Sequence, residues 1–87
     1  MLFEIDTKKS KSNKEKHGID FEEIQQLWDG VVKEIPAVNK GELRWFVFGE
    51  IDDKVWVALI TRRGSATRIF SARRANKRER EKLYEQN

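Results

Sequence analysis

The 87-residue chain contains no cysteine, a single histidine and a single proline. Without cysteine there are no disulfide staples, no thiolate nucleophile and no cysteine-ligated zinc or iron–sulfur centre. One histidine, and no acidic cluster at metal spacing beyond the pair Asp52-Asp53, leave no evident ligand set. No metal and no cofactor are therefore expected. The chain also lacks a glycine-rich phosphate loop, a nucleophile elbow and a serine–histidine–acid pattern, which disfavours nucleotide-driven and acyl-transfer enzymes. Its longest apolar runs, 45–48 and 55–60, fall far short of the roughly 20 residues that span a membrane. The opening Met1-Leu2-Phe3-Glu4-Ile5-Asp6 has no basic and apolar secretory segment. The expectation is a soluble cytoplasmic protein, one domain over residues 1–87, whose active or binding site sits on the folding unit itself.

Charge is what the chain does have, and it is unevenly placed. The formal net charge is +3, yet residues 62–87 hold nine Lys or Arg against three Glu, so the first 61 residues carry a net −3. A basic tail on a mildly acidic body suits a polyanion, of which nucleic acid is the commonest, although a solvated basic helix gives the same count.

Capping and periodicity divide the chain into elements. Asp6 or Thr7 suits the start of a first helix running through Lys16, with Gly18 as the left-handed residue that ends it. That helix is polar nearly all round. Asp20 with Glu23 has capping-box logic, and Phe21, Ile24, Leu27, Trp28 and Val31 then recur at helical spacing, which predicts an amphipathic helix over about 21–33. After Gly41 the pattern changes. Residues 43–51, 55–63 and 66–72 are rich in β-branched and aromatic types between short turn signals, which predicts a three-stranded antiparallel meander, with a shorter strand at 35–38 as an option. Asn76 with Glu79 predicts the capping box of a C-terminal basic helix, in which Leu83 and Tyr84 offer an apolar contact. The fold class is α+β.

If Asp52-Asp53 and Gly64-Ser65 are two-residue hairpin turns, the register follows. One face then carries Phe46, Phe48, Val55, Val57, Leu59, Arg63, Arg68 and Phe70. The other carries Trp45, Val47, Ile51, Trp56, Ala58, Ile60 and Ile69, edged by Arg62, Ser71 and Arg73. Arg68 lies opposite Thr61 and diagonally beside Arg63. A longer second turn would bring Arg62 there instead. Converging guanidiniums suit a bound phosphate, and pairing with Glu42 or Glu50 is the bland alternative. Both faces are apolar at the centre, so surface left uncovered by the short helices predicts a protein partner.

Few parts are needed to cleave RNA: the 2′-hydroxyl attacks the adjacent phosphate while cations stabilise the charge building on its oxygens. The sole histidine, His17, is of the side-chain type best suited to move a proton near neutrality, but it follows a helix, where histidine commonly just caps carbonyls. Tyr84 is open to stacking on a base. Trp28, Trp45 and Trp56 are read as core.

Asp6, Lys9, Asn13 and Lys16-His17-Gly18, followed by a helix from Phe21, resemble the opening of BrnT-type toxins, within the RelE-like group. Arg63-Gly64, Arg68-Ile69-Phe70-Ser71-Ala72-Arg73-Arg74-Ala75, Arg78-Glu79 and Tyr84-Glu85 resemble that family's arginine-rich strand and following helix. The resemblance spans nearly the whole chain, and its specificity lies in the combination of the Lys-His-Gly and Arg-Ile-x-Ser-Ala-Arg motifs. The family typically has Trp where Ile5 stands, and the middle of the chain, 33–42, carries nothing diagnostic.

The resemblance implies a RelE-like α+β domain: two N-terminal helices, an antiparallel sheet of three to four strands and a C-terminal basic helix. It implies the toxin of a type II toxin–antitoxin system, an endoribonuclease that inhibits translation. Its neutralising partner would be a ribbon-helix-helix antitoxin, in a 2:2 heterotetramer that reaches operator DNA through the antitoxin. Carried over by position, Arg63, Arg68 and Arg73 bind the scissile phosphate and stabilise the transition state, joined by His17 in an unassigned role. Lys16, Arg62, Arg74 and Lys77 guide the RNA backbone. The main alternative is a non-catalytic basic RNA- or DNA-binding domain, and a scaffold or regulator is a third reading.

Overall fold

The computed structural model describes residues 1–84, so Glu85 of the C-terminal motif and the last residues of the expected 1–87 domain lie outside the described residues. Eight elements follow in order: strand β1 (Leu2–Glu4), helix α1 (Thr7–His17), a 3₁₀ helix (Glu23–Asp29), strands β2 (Lys33–Asn39), β3 (Glu42–Ile51), β4 (Lys54–Arg63) and β5 (Ala66–Arg74), and helix α2 (Lys77–Leu83).

Helix α1 begins where the Asp6 carboxylate accepts from the backbone N–H groups of Lys8 and Lys9, and stops where Gly18 turns left-handed at φ 79°. Almost wholly polar, it is anchored by polar contacts instead of an apolar stripe. The Ser10 hydroxyl accepts from the Phe21 N–H at 2.8 Å. Asn13 donates to the carbonyls of Ile19 and Ala72, both at 2.8 Å, and accepts from the Ala72 N–H. Asn13 thus pairs with the edge of β5 beyond the point where β1 ends.

The amphipathic helix expected over 21–33 is instead a seven-residue 3₁₀ helix. Its start keeps the expected logic, since Asp20 accepts from the Glu22 and Glu23 N–H groups while Glu23 accepts from Asp20. Three residues per turn eclipse Ile24 and Leu27, and both are fully buried. Leu27 seats against Gly49, where an added Cβ would lie 3.1 Å from Leu27 Cδ2. The chain then extends at Gly30 and leaves Val31 87% exposed, outside the apolar stripe the spacing suggested.

The sheet also departs from expectation. It is five-stranded and mixed, in the order β1-β5-β4-β3-β2, with β1 parallel to β5 and every other pair antiparallel. The three-residue β1 carries no periodic signal of its own and exists through its pairing with β5. The optional strand at 35–38 is real and longer; as an edge strand, β2 tolerates Pro36. Both hairpin turns fall where the register argument put them, with Ile51 opposite Lys54 and Arg63 opposite Ala66, so Arg63 and not Arg62 neighbours Arg68. Asp52 and Asp53 both take positive φ, 51° and 65°, the mirror-image turn that suits a twisted hairpin.

A bulge corrects the face assignment. Leu59 pairs with Ser71 and Ile60 with Ile69, which leaves Phe70 unpaired. From there the alternation shifts by one, so Ser71 and Arg73 join the face of Leu59 and Val57, while Ala72 and Arg74 join that of Ala58 and Trp56.

Each face has its own core. On one, Phe21, Ile24 and Leu27 pack on Val47, Ala58, Ile60, Ile69 and Ala72, with Trp28, Trp45 and Trp56 partly buried against them. Burying each such large side chain contributes roughly 1.5–3 kcal/mol. On the other, α2 covers only part of the sheet: Leu83 and Tyr84 pack on the cluster of Phe48, Val55, Val57 and Ala75, along with Phe46 and Leu59. The rest of that face is open.

Candidate active site

The open area lies beside α2, on the face that carries Arg44, Thr61, Arg63, Arg68, Phe70, Ser71 and Arg73. Alternation along β3 puts Arg44 on this face with Phe46, and register puts Thr61 opposite Arg68, which in turn faces Glu4 of β1. Arg63 is exposed and Arg68 half-buried, and among the described residues neither takes part in an ion pair. Arg68 opens onto a cavity of about 440 Å³ shared with Glu4, Ile5, Asp6 and Thr7. The Asp6 carboxyl sits below its ordinary pKa chiefly because the Lys9 N–H donates to it, with Arg68 a minor contributor.

A second cavity, of about 240 Å³, lies between α1 and β5. Lys9, Ser12, Lys16 and His17 line it from the helix, and Phe70 and Ser71 line it from the bulge. Left-handed Gly18 ends α1 just after His17, which leaves the imidazole exposed at the rim. Lys16 and His17 therefore stand beside the strand that carries Arg68.

Arg73 shares this face but is engaged. Its two Nη atoms donate to the two carboxylate oxygens of Glu79 at 2.8 and 3.0 Å. That pairing raises the Arg73 pKa and is the main cause lowering that of Glu79.

The structure does not bring the remaining predicted residues to this area. Arg62 lies on the reverse face, 2.6 Å from Glu34 and stacked over Trp45, with Cζ 4.9 Å from the ring centroid. Arg74, moved there by the bulge, lies over Trp56 at 5.4 Å. Lys77 projects from the start of α2 with its side chain 83% exposed. Tyr84, left open for base stacking, packs instead under α2, with the Lys33 ammonium 4.2 Å from its ring centroid and burial pushing its pKa up.

Sequence reasoning missed Arg44. Its guanidinium carbon lies 4.6 Å from the Phe70 ring centroid, and its Nε is buried without a hydrogen-bond partner among the described residues. The available signal was its even-numbered place in β3 with Phe46 and Phe48. Among the described residues no three His, Cys, Asp or Glu side chains come close enough to hold a metal ion, and no helix is long and apolar enough to cross a membrane.

An open sheet face on which Arg63 and Arg68 form no ion pair among the described residues, flanked by a lysine and a histidine from a helix, is suited to gripping and polarising a phosphodiester. No curated protein sequence matches the chain closely enough to count as a relative. The profile of the family described as "Ribonuclease toxin, BrnT, of type II toxin-antitoxin system" matches residues 5–79, which takes in α1, the whole open face and the start of α2, and the chain belongs to that family.

Proposed function

We propose that this ribonuclease toxin cleaves RNA without a metal ion, by attack of the 2′-hydroxyl on the neighbouring phosphorus. The 2′-oxygen forms a bond to phosphorus as the bond to the 5′-oxygen breaks. One proton leaves the 2′-hydroxyl and another reaches the departing 5′-oxygen. Arg63 and Arg68 bind the scissile phosphate and stabilise its growing negative charge, and His17 is the group offered for proton transfer. Lys16 guides the backbone. Arg73 belongs to the same face, and its pairing with Glu79 makes its main contribution the anchoring of α2. Arg62 and Arg74 face away from this site, and Lys77 extends from α2 outside it.

The observation that carries this reading is Arg68. It is half-buried on the open face, free of ion pairs among the described residues, next to Arg63 in register and on the same strand as the bulge that faces His17.

In the cell, this activity would stop translation until an antitoxin covers the face. A ribbon-helix-helix antitoxin, itself a dimer, would hold two toxin copies in a 2:2 assembly and carry them to operator DNA. Support for a protein partner on this face comes from Ile35, which stands opposite Phe46 on the edge strand and is 38% exposed. A cytoplasmic location follows from the substrate.

The test is incubation of the purified chain, and of its Arg68→Ala variant, with naked single-stranded RNA in EDTA. Fragments from the native chain alone support the proposal. Intact RNA in both, with binding that weakens as salt rises, would favour a non-catalytic RNA-binding domain.

A further inference from the structure

Phe70 stands between two elements that reach it from opposite sides. Strand β3 lies two strands inward of β5, and α1 runs along the outer edge of β5, where Asn13 bonds to Ala72. From the inner side Arg44 lays its guanidinium over the ring, with Cζ 4.6 Å from the centroid. Toward α1, Phe70 and Ser71 line the cavity of about 240 Å³ with Ser12, Lys16 and His17. The bulge creates this arrangement, since it turns two successive residues, Phe70 and Ser71, onto one face.

Phe70 is not spent on the core. It stays half-buried in a cavity rimmed by cations and hydroxyls, and its ring is held by an arginine from another strand. Arg68 precedes it by two residues on the same face, about 7 Å along the strand. A phosphate held at Arg68 therefore has the aromatic ring within reach of an adjoining nucleoside.

We propose that this cavity is a nucleobase subsite, in which a base flanking the cleaved phosphate stacks on Phe70 while the hydroxyls of Ser12 and Ser71 meet its polar edge. Stacking accepts any base, and the hydroxyls supply whatever preference there is. Arg44 is a positioning residue that fixes the ring. The inference deepens the ribonuclease reading and rests on it.

The test compares an RNA of defined cleavage site with the same RNA carrying an abasic ribonucleotide, 2′-hydroxyl retained, on one or the other side of the cut. The expected result is a loss of about tenfold in kcat/KM for the native chain on one abasic substrate, the scale of one base–aromatic stack. Phe70→Tyr shows the same loss. Phe70→Leu, already slow on the intact RNA, is nearly indifferent to the missing base. A merely structural Phe70 would leave the abasic effect in place in Phe70→Leu, and that result overturns the subsite. So does a native chain that cleaves all three RNAs equally, an outcome that leaves the ribonuclease reading intact. A native chain that cleaves none of them overturns both. Where Phe70→Leu does not fold, Ser71→Ala carries the comparison: narrowed discrimination among the four bases at the subsite position supports the proposal, and unchanged discrimination overturns it.

Discussion

Arg73 and Glu79 form a two-pronged ion pair that ties the end of β5 to the first turn of α2, with both oxygens of the carboxylate engaged. One of those oxygens also accepts the Asn76 N–H, closing the capping box. A single carboxylate thus starts the helix and fixes it to the sheet. Both side chains are partly buried, 30% and 19% exposed, so the pair is shielded more than a surface salt bridge. Glu79→Gln and Arg73→Ala are each expected to cost on the order of 1–2 kcal/mol in urea unfolding. The double variant should lose clearly less than the sum, and full additivity would disprove the coupling.

The same pair sets a pH dependence. Arg73 foremost, helped by the Asn76 N–H, holds the Glu79 carboxyl below its ordinary 4.5 in the folded state, while burial works the other way. A folded pKa below the unfolded one gives stability that is fully present above the unfolded value and is lost as pH falls through the folded one. The difference in unfolding free energy between the native chain and Glu79→Gln should therefore be flat above about pH 6 and shrink as the pH drops below about 4.5. Asp6 and Glu23, lowered chiefly by the Lys9 N–H and by Lys14, are common to both proteins and cancel in the difference. A difference that grows on acidification would refute the assignment.

Features written in neighbouring residues were legible in the sequence. Asp6 and Gly18 bound α1, Asp52-Asp53 and the turn after Arg63 set the hairpin register, and Asn76 with Glu79 cap α2, because caps and turns are satisfied within a few residues. What escaped depends on partners distant in sequence. Strand β1 is too short for a pattern and forms only against β5. The bulge at Phe70 appears in no local signal, yet it exchanges the faces of Ser71, Ala72, Arg73 and Arg74, and so brings Arg73 to the face of Arg68 and takes Arg74 away from it. The polar character of α1, puzzling in the sequence alone, is explained by Asn13, whose partner at Ala72 is 59 residues away. For the candidate site, Arg68 and its neighbour Arg63 were readable from register, whereas the stacking of Arg44 on Phe70 required the strand order.

Asn13 is where that polar helix is most exposed to damage. Asn13→Ala leaves the Ile19 and Ala72 carbonyls and the Ala72 N–H without their partner in a buried place. The expected cost is about 2–4 kcal/mol, a fall in Tm of roughly 10 °C or more for a domain of this size. Asn13→Asp should be no better near neutral pH, because it turns a donor toward two carbonyls into an acceptor. Hydrogen exchange at the Ala72 amide should quicken in both variants ahead of the β3–β4 amides. A Tm within about 2 °C of the native value would show that water or a neighbour replaces the side chain.

The two faces of the sheet make opposite demands on their arginines. Arg68→Ala removes a guanidinium from the proposed phosphate site and is expected to lower the cleavage rate by about a hundredfold or more, the scale of losing one preorganised donor to a developing anion. Arg62→Ala removes one that pairs with Glu34 and covers Trp45 on the reverse face, so cleavage should stay within about twofold while stability falls by at most about 1 kcal/mol. Arg74→Ala, over Trp56, should behave like Arg62→Ala. All three delete one positive charge, so a protein that relied on overall basicity would lose the same amount in each case and show the same change in salt dependence. Measuring single-turnover rates for the three variants at two salt concentrations separates these cases: equal losses would mean that net charge governs RNA engagement, and a loss confined to Arg68→Ala would place the chemistry on the open face.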